Sequence, residues 1–269
     1  MEPEKLEEKL VSKYSDRISV YPDESSSEEY EGILSEVEEN FDKISPAELE
    51  GYILDTAGKY NKGSRDEVKA KIHGMFSGAL LEKAYDTSDS ITLDGHGAVF
   101  DHLFSHGSEI GDLFLKNIKG DRILERAGSE DGTAGNIYLV NIRGDWLLNN
   151  GFREGGEVDT VLMKSVYGKK NGTFLGYDAK SMENVILSGI YGDHTGGWLG
   201  KNCDDFGTLV TENLYGDNSL EYSGTPRKRY DEEDIPESSR NVLLLERTLE
   251  PRVEEYCSEI LEQVKSRDY

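Results

Sequence analysis

Three of the chain's five histidines, His96, His102 and His106, lie close together in sequence, with Asp94 and Asp101 among them. Imidazoles four residues apart share one face of a helix, a spacing used by many divalent-metal sites. If Ala98–Ser105 forms a helical turn, His102 and His106 supply two ligands, and Asp101 or His96 completes a three-ligand set with a position left for water. Such a centre performs metal-assisted hydrolysis, with Asp101 or Glu109 as the general base. The competing reading is of loop and capping histidines: His96 and His106 are each followed by glycine, and no H-E-x-x-H signature supplies a base. A divalent metal is the one cofactor that these residues raise, and no other feature of the chain requires a cofactor.

A second candidate is a column rather than a cluster. Lys119, Arg143, Tyr167, Tyr191 and Tyr215 recur at an interval of 24 residues. The column adjoins one of aliphatic residues, so it should point outward. Three tyrosines at that spacing predict a flat strip suited to sugar rings or to a partner protein.

What positions both candidates is a repeat. Gly120, Gly144, Gly168, Gly192 and Gly216 mark its period of 24. In the same steps run the aliphatic columns Leu113, Ile137, Val161, Val185, Leu209 and Ile118, Ile142, Val166, Ile190, Leu214. Apolar residues two apart within each copy, such as Ile137 and Leu139, give the alternation of strands. A unit this short cannot close a core alone, so each copy must bury these side chains against its neighbours. Asp or Lys follows each glycine (Asp121, Asp145, Lys169, Asp193, Asp217), which reads as a corner where Asp bonds its own local backbone. Lys169 would relieve repulsion along that column. The small and polar column Asn117, Asn141, Ser165, Gly189, Asn213 predicts a side-chain ladder at a second corner.

The expected fold is therefore mainly β: a single-stranded, right-handed parallel β-helix of 24-residue coils with three short strands each. A leucine-rich-repeat-like solenoid is the alternative, but its inward Asn is here an aliphatic and its last Leu a glycine. The phrase Gly-x-Ile-x-Leu…Gly-Asp from Gly135 to Asp145 resembles the glycine-rich β-helix of the glutamate synthase C-terminal domain family, over about half the chain. That family's Met and paired-glycine positions are not reproduced. The resemblance implies a fold and carries no functional residue across.

The chain divides by pattern into an acidic helical and flexible segment at 1–44, a helical capping region at 45–90, the solenoid at 91–224, and a loop with a final strand and capping helix at 225–269. Ser45-Pro46-Ala47-Glu48 is a capping box opening a helix, and Gly74 and Gly78 in the next helix allow another element to approach closely. Asn241–Leu245 is the expected last strand, and Pro251 opens the last helix. This layout, a β-helix between helical segments, resembles the scaffold subunits of the iron–sulfur assembly machinery, and the likeness implies nothing about activity.

A net charge of −24 opposes nucleic acid and anionic membranes. The charge is concentrated at the ends: residues 1–50 hold 16 acidic and 5 basic side chains, and residues 231–269 hold 12 and 5. Those ends could attract a basic partner; adaptation to a high-salt cytoplasm is the other source of such acidity. No apolar run approaches a membrane span, the N-terminus is acidic rather than signal-like, and two distant cysteines fit a reducing cytoplasm. The chain thus reads as a capped β-helix acting as a scaffold or protein-interaction module, without assigned catalysis and with no oligomeric state implied. A metal-dependent hydrolase, or a carbohydrate-active or carbohydrate-binding protein using the His96/His102/His106 region, is the alternative.

Overall fold

The computed structural model describes residues 2–18, 26–60, 67–221, 223 and 228–230. Four helices come first: α1 (Pro3–Tyr14), α2 (Ser26–Asn40), α3 (Pro46–Thr56) and α4 (Glu67–Tyr85). Strands follow as β1 (Ser90–Asp94), β2 (Glu109–Ile110), β3 (Asp112–Lys116), β4 (Thr133–Arg143), β5 (Glu157–Tyr167), β6 (Ser181–Tyr191), β7 (Asp205–Tyr215) and β8 (Lys228–Tyr230). They form one parallel sheet in the order β1-β3-β4-β5-β6-β7-β8, with β2 beside β4. The fold is a parallel β-solenoid of about five turns.

The register follows the repeat. Leu113 pairs with Ile137, Ile137 with Val161, Val161 with Val185 and Val185 with Leu209, and all five are fully buried. Each such side chain contributes about 1.5–3 kcal/mol by leaving water. The first coil is shorter, because Ile91 of β1 pairs with Leu113, 22 residues on.

Each interior coil holds one strand of 11 residues, not the three short strands expected from sequence. The strand bends at the small polar column, where Asn117, Asn141, Ser165, Gly189 and Asn213 all have φ between 52° and 64°. Asn is among the residues that tolerate this left-handed region best. Asn141 Nδ2 donates to Asn117 Oδ1 at 2.7 Å, and Asn117 Nδ2 to Asp94 Oδ1 at 3.0 Å. The expected ladder is present in these coils.

The chain returns through successive tight turns in which every second residue has positive φ: Arg122, Leu124, Arg126 and Gly128 in one coil, Lys170, Gly172, Phe174 and Gly176 two coils on. Amides of these residues bond alternately forward and back. Arg122 N donates to Asp145 O and Arg126 N to Asn149 O in the following coil, whereas Leu124 N donates to Leu103 O and Gly128 N to Gly107 O in the preceding one. Coils are thus joined by backbone on both sides of the winding.

The Gly-Asp corner shows why its residues recur. A Cβ on Gly144 would stand 1.7 Å from the Gly120 carbonyl oxygen, and one on Gly168 would stand 2.0 Å from that of Gly144, so backbone rests directly on backbone. Where the sequence suggested bonds to their own local backbone, the aspartates accept from the coil after. Asp101 Oδ1 accepts from Asp121 N (2.8 Å), Asp121 from Asp145 N (2.9 Å), Asp145 from Lys169 N (2.8 Å) and Asp193 from Asp217 N (3.2 Å). Lys169 interrupts the acidic column and sets its Nζ 3.4 Å from Asp193 Oδ2.

Helix α4 closes the first coil. Ser45 caps α3 in the predicted box, and α1, α2 and α3 all pack on α4. The predicted approach at Gly74 and Gly78 occurs against the His102–Gly107 backbone: a Cβ on Gly74 would lie 2.1 Å from His102 O, and one on Gly78 2.5 Å from Ser105 O. Phe104 and Ser108 occupy the backward-donating positions of this coil, which has no coil before it. Phe104 N donates to Ser77 Oγ at 3.0 Å, and Ser108 N donates to Glu82 Oε1. Glu82 also accepts from Tyr30 OH of α2. Side chains of a helix therefore stand in for the missing coil's carbonyls. The predicted strand at Asn241–Leu245 and the helix from Pro251 lie outside the described residues.

Gly168→Ala is expected to lower stability by about 3 kcal/mol, from positive φ and the clash with Gly144 together; denaturant unfolding followed by circular dichroism measures it. Glu82→Ala, which strands the Ser108 amide and the Tyr30 hydroxyl, should cost about 2 kcal/mol or more, and Glu82→Gln, which keeps an acceptor, should recover most of the loss.

Candidate functional site

The histidine-rich stretch is not a helix. His102, Phe104 and His106 have φ of 61°, 56° and 67°, and belong to the tight-turn run of the first coil. The shared helical face expected of His102 and His106 therefore does not form. His102 is buried with its Nδ1 3.5 Å from Glu125 Oε2, an ion-pair contact longer than a hydrogen bond. His106 is buried and stacks on Tyr30 with ring centroids 5.9 Å apart. Asp101 is committed to the Asp121 amide, and Glu109 is exposed on β2. His96 stands apart at the surface, its Nδ1 3.5 Å from Asp94 Oδ1. Among the described residues, no group of three or more His, Cys, Asp or Glu is arranged to hold a metal ion.

What His102 and His106 do share is an ionisable interior between α4 and the first two coils. Burial drives the His106 pKa down to about 3, helped by the positive charges of Arg126 and Lys71. Burial acts the other way on Glu125, but the contact with His102 and the charges of His102 and Arg122 outweigh it and hold that carboxyl at about 2. Arg122 Nη1 lies 3.2 Å from Glu125 Oε1. Sequence spacing pointed to the histidines but missed Glu125, because the pairing joins different coils.

A second buried network lies among the helices. Glu7 is fully buried, with Oε1 3.1 Å from His73 Nδ1 and Oε2 accepting from Lys59 Nζ at 3.0 Å. Tyr52 OH lies 3.1 Å from the same His73 nitrogen. Burial raises the Glu7 carboxyl, and the bonds and charges of His73 and Lys59 more than reverse that, leaving its pKa lowered. The sequence signal was one charged residue, Glu7, set between Leu6 and Leu10 on an apolar stripe.

The outward column is assembled as expected. Tyr167 and Tyr191 stack at 4.8 Å with 6° between ring planes, and Tyr191 and Tyr215 at 4.9 Å with 10°. The Arg143 guanidinium sits over the Tyr167 ring, 5.2 Å from its centroid, and Lys119 bridges to Arg143 in the next coil. These tyrosines are 38%, 41% and 51% exposed, and they are the exposed large hydrophobic side chains among the described residues. Because the rings face one another, the strip presents edges and hydroxyls; the flat platform expected for sugar rings is used up within the stack.

At the Lys119 end the column runs into a shallow cleft of about 400 Å³ lined by His96, Gly97, Asn117, Ile118, Lys119, Asn141 and Arg143. The cleft combines one residue of the histidine group, two of the outward column and two of the Asn ladder. Sequence spacing assigned these to separate features. Among the described residues no helix is long and apolar enough to cross a membrane.

No protein-family model, curated protein or solved structure matches this chain. Function therefore rests on the chemistry of these surfaces.

The buried histidine makes stability fall with acid. His106 is neutral when folded, with its pKa lowered from 6.5 to about 3, so its contribution is complete above pH 6.5 and is lost as the pH falls below it. Stability should drop by up to about 1.4 kcal/mol per pH unit between pH 6.5 and 5 through this group. Urea unfolding across that window tests it: His106→Phe, which keeps a ring beside Tyr30, is expected to flatten the slope. The lowered Glu125 acts further down, its contribution being present above pH 4.5 and lost as the pH falls toward 2.

Proposed function

We propose that this protein is a non-catalytic scaffold that recognises another protein along the Tyr167–Tyr191–Tyr215 strip. The observation that carries the reading is the strip itself: three stacked, half-exposed tyrosines, which are the exposed large hydrophobic side chains among the described residues. Tyrosine edges and hydroxyls, fixed in place by stacking, offer contact area and hydrogen bonding at low conformational cost, as protein interfaces use them. Arg143 closes one end of the stack and restricts Tyr167 further.

The residues that raised catalysis have structural employment. Asp101 supports a corner, His102 faces Glu125, and His106 is packed under Tyr30. That favours the scaffold over the metal-dependent hydrolase. Covered ring faces favour a protein over a carbohydrate.

Acid-rich ends, 16 acidic against 5 basic side chains in residues 1–50 alone, add long-range attraction for a basic partner and repel nucleic acid. Residence in a reducing cytoplasm completes the proposal and suits the free, half-buried Cys203, whose thiol pKa is raised by burial.

A photo-crosslinking amino acid placed at position 191 should trap one stoichiometric partner in the source cells. The triple variant Tyr167→Ser, Tyr191→Ser, Tyr215→Ser should weaken that partner's binding at least tenfold while leaving the circular dichroism spectrum unchanged. Equal binding by the folded triple variant overturns the proposal.

A further inference from the structure

The column that carries the tyrosines changes chemistry at its first two rungs, where Lys119 and Arg143 replace them. Both side chains are exposed, and among the described residues neither makes an ion pair. That is notable in a chain with 54 acidic and 30 basic residues, where many cations find a carboxylate. Lys9, Lys13, Lys59, Lys116, Lys169 and Lys180 all do.

The two unpaired cations border the same cleft as His96, Asn117 and Asn141, and no carboxylate lines it. The carboxylate beside His96 is already engaged: Asp94 accepts from Asn117 Nδ2 at 3.0 Å and from the His96 amide at 3.0 Å, and lies 3.2 Å from Lys116 Nζ. Asp94 thus spends its charge on the ladder and on Lys116. Lys119 and Arg143 sit in adjacent coils, joined by a backbone bridge, which holds their origins one rung apart. Contact with the Tyr167 ring restrains the guanidinium, so less freedom is lost when its fork meets a ligand.

We propose that this cleft is an oxyanion-binding site, in which Lys119 and Arg143 take a single carboxylate or phosphate group with His96 and the Asn117/Asn141 carboxamides around it. Arg supplies the planar fork that matches either group, and Lys supplies a point charge. A long polyanion such as nucleic acid is opposed by the chain's net charge of −24. A compact anion is not, because at physiological salt that repulsion is screened over about 8 Å while contact at the cleft is not. The cleft lies beyond the tyrosine stack, so the site stands whether or not the strip binds a protein.

Titration of the 15N-labelled protein with inorganic phosphate, with citrate and with a short glutamate-rich peptide tests the site. Saturable shifts centred on Asn117, Lys119, Asn141 and the Arg143 side chain are expected, weakening as NaCl is raised. Lys119→Gln and Arg143→Gln should each reduce affinity at least fivefold, and Tyr191→Ser should leave it unchanged. Tighter binding of phosphate or citrate than of the peptide identifies a small-molecule oxyanion as the ligand; the reverse identifies an acidic side chain of a protein. Absence of saturable shifts with all three probes, or wild-type affinity in both charge variants, overturns the proposal. The wild-type shift map decides the question even if a variant fails to fold.

Discussion

Backbone contact between successive coils governs everything else in this molecule. At the glycine corner one carbonyl oxygen presses where the next coil's Cβ would be, and in the turn run that follows the amides alternate between the coil ahead and the coil behind. Such stacking leaves no tolerance at the corner, yet it is indifferent to what projects outward. It also creates a problem at the first coil, whose backward-facing amides have no predecessor. Ser77 and Glu82 of α4 resolve that problem, and Gly74 and Gly78 let the helix come near enough to do so. Burying the Glu82 carboxyl raises its pKa, a cost accepted at a position that has amide and phenol donors to satisfy.

The same contact explains the histidines. His102 and His106 lie where α4 covers the turn run, so they are enclosed by the cap and answered by charges from the next coil. Their spacing resembles a metal motif only if the backbone is helical, and the left-handed residues at 102, 104 and 106 prevent that. The ionisable groups here serve the joint between helix and solenoid.

The aliphatic columns and the glycine period were sufficient to read the solenoid, because an inward position repeats its chemistry in every coil. The outward tyrosines and the Asn ladder were legible for the same reason. Less was legible where partners come from different coils or different helices: Glu125 beside His102, Glu7 beside His73, and His96 joining Lys119 and Arg143 across the cleft. None of these pairs repeats, so no period announces them. The turn run also concealed itself, since its bonding is carried by backbone in alternating conformations that leave no alternation of apolar side chains. Ring orientation was the remaining gap; a column of tyrosines predicts proximity, but whether faces or edges meet solvent depends on how the rings tilt against their neighbours.

The outer ladder has rungs at 4.8 and 4.9 Å, spaced by the register of the coils that carry them. Its geometry is therefore a ruler graduated by the winding. Duplicating a 24-residue unit would add one graduation without retuning any other, since every interior interface repeats the same contact. Length and surface chemistry are separable in such a molecule: the number of windings sets how far the outer column extends, and the residue at each graduation sets what it presents there.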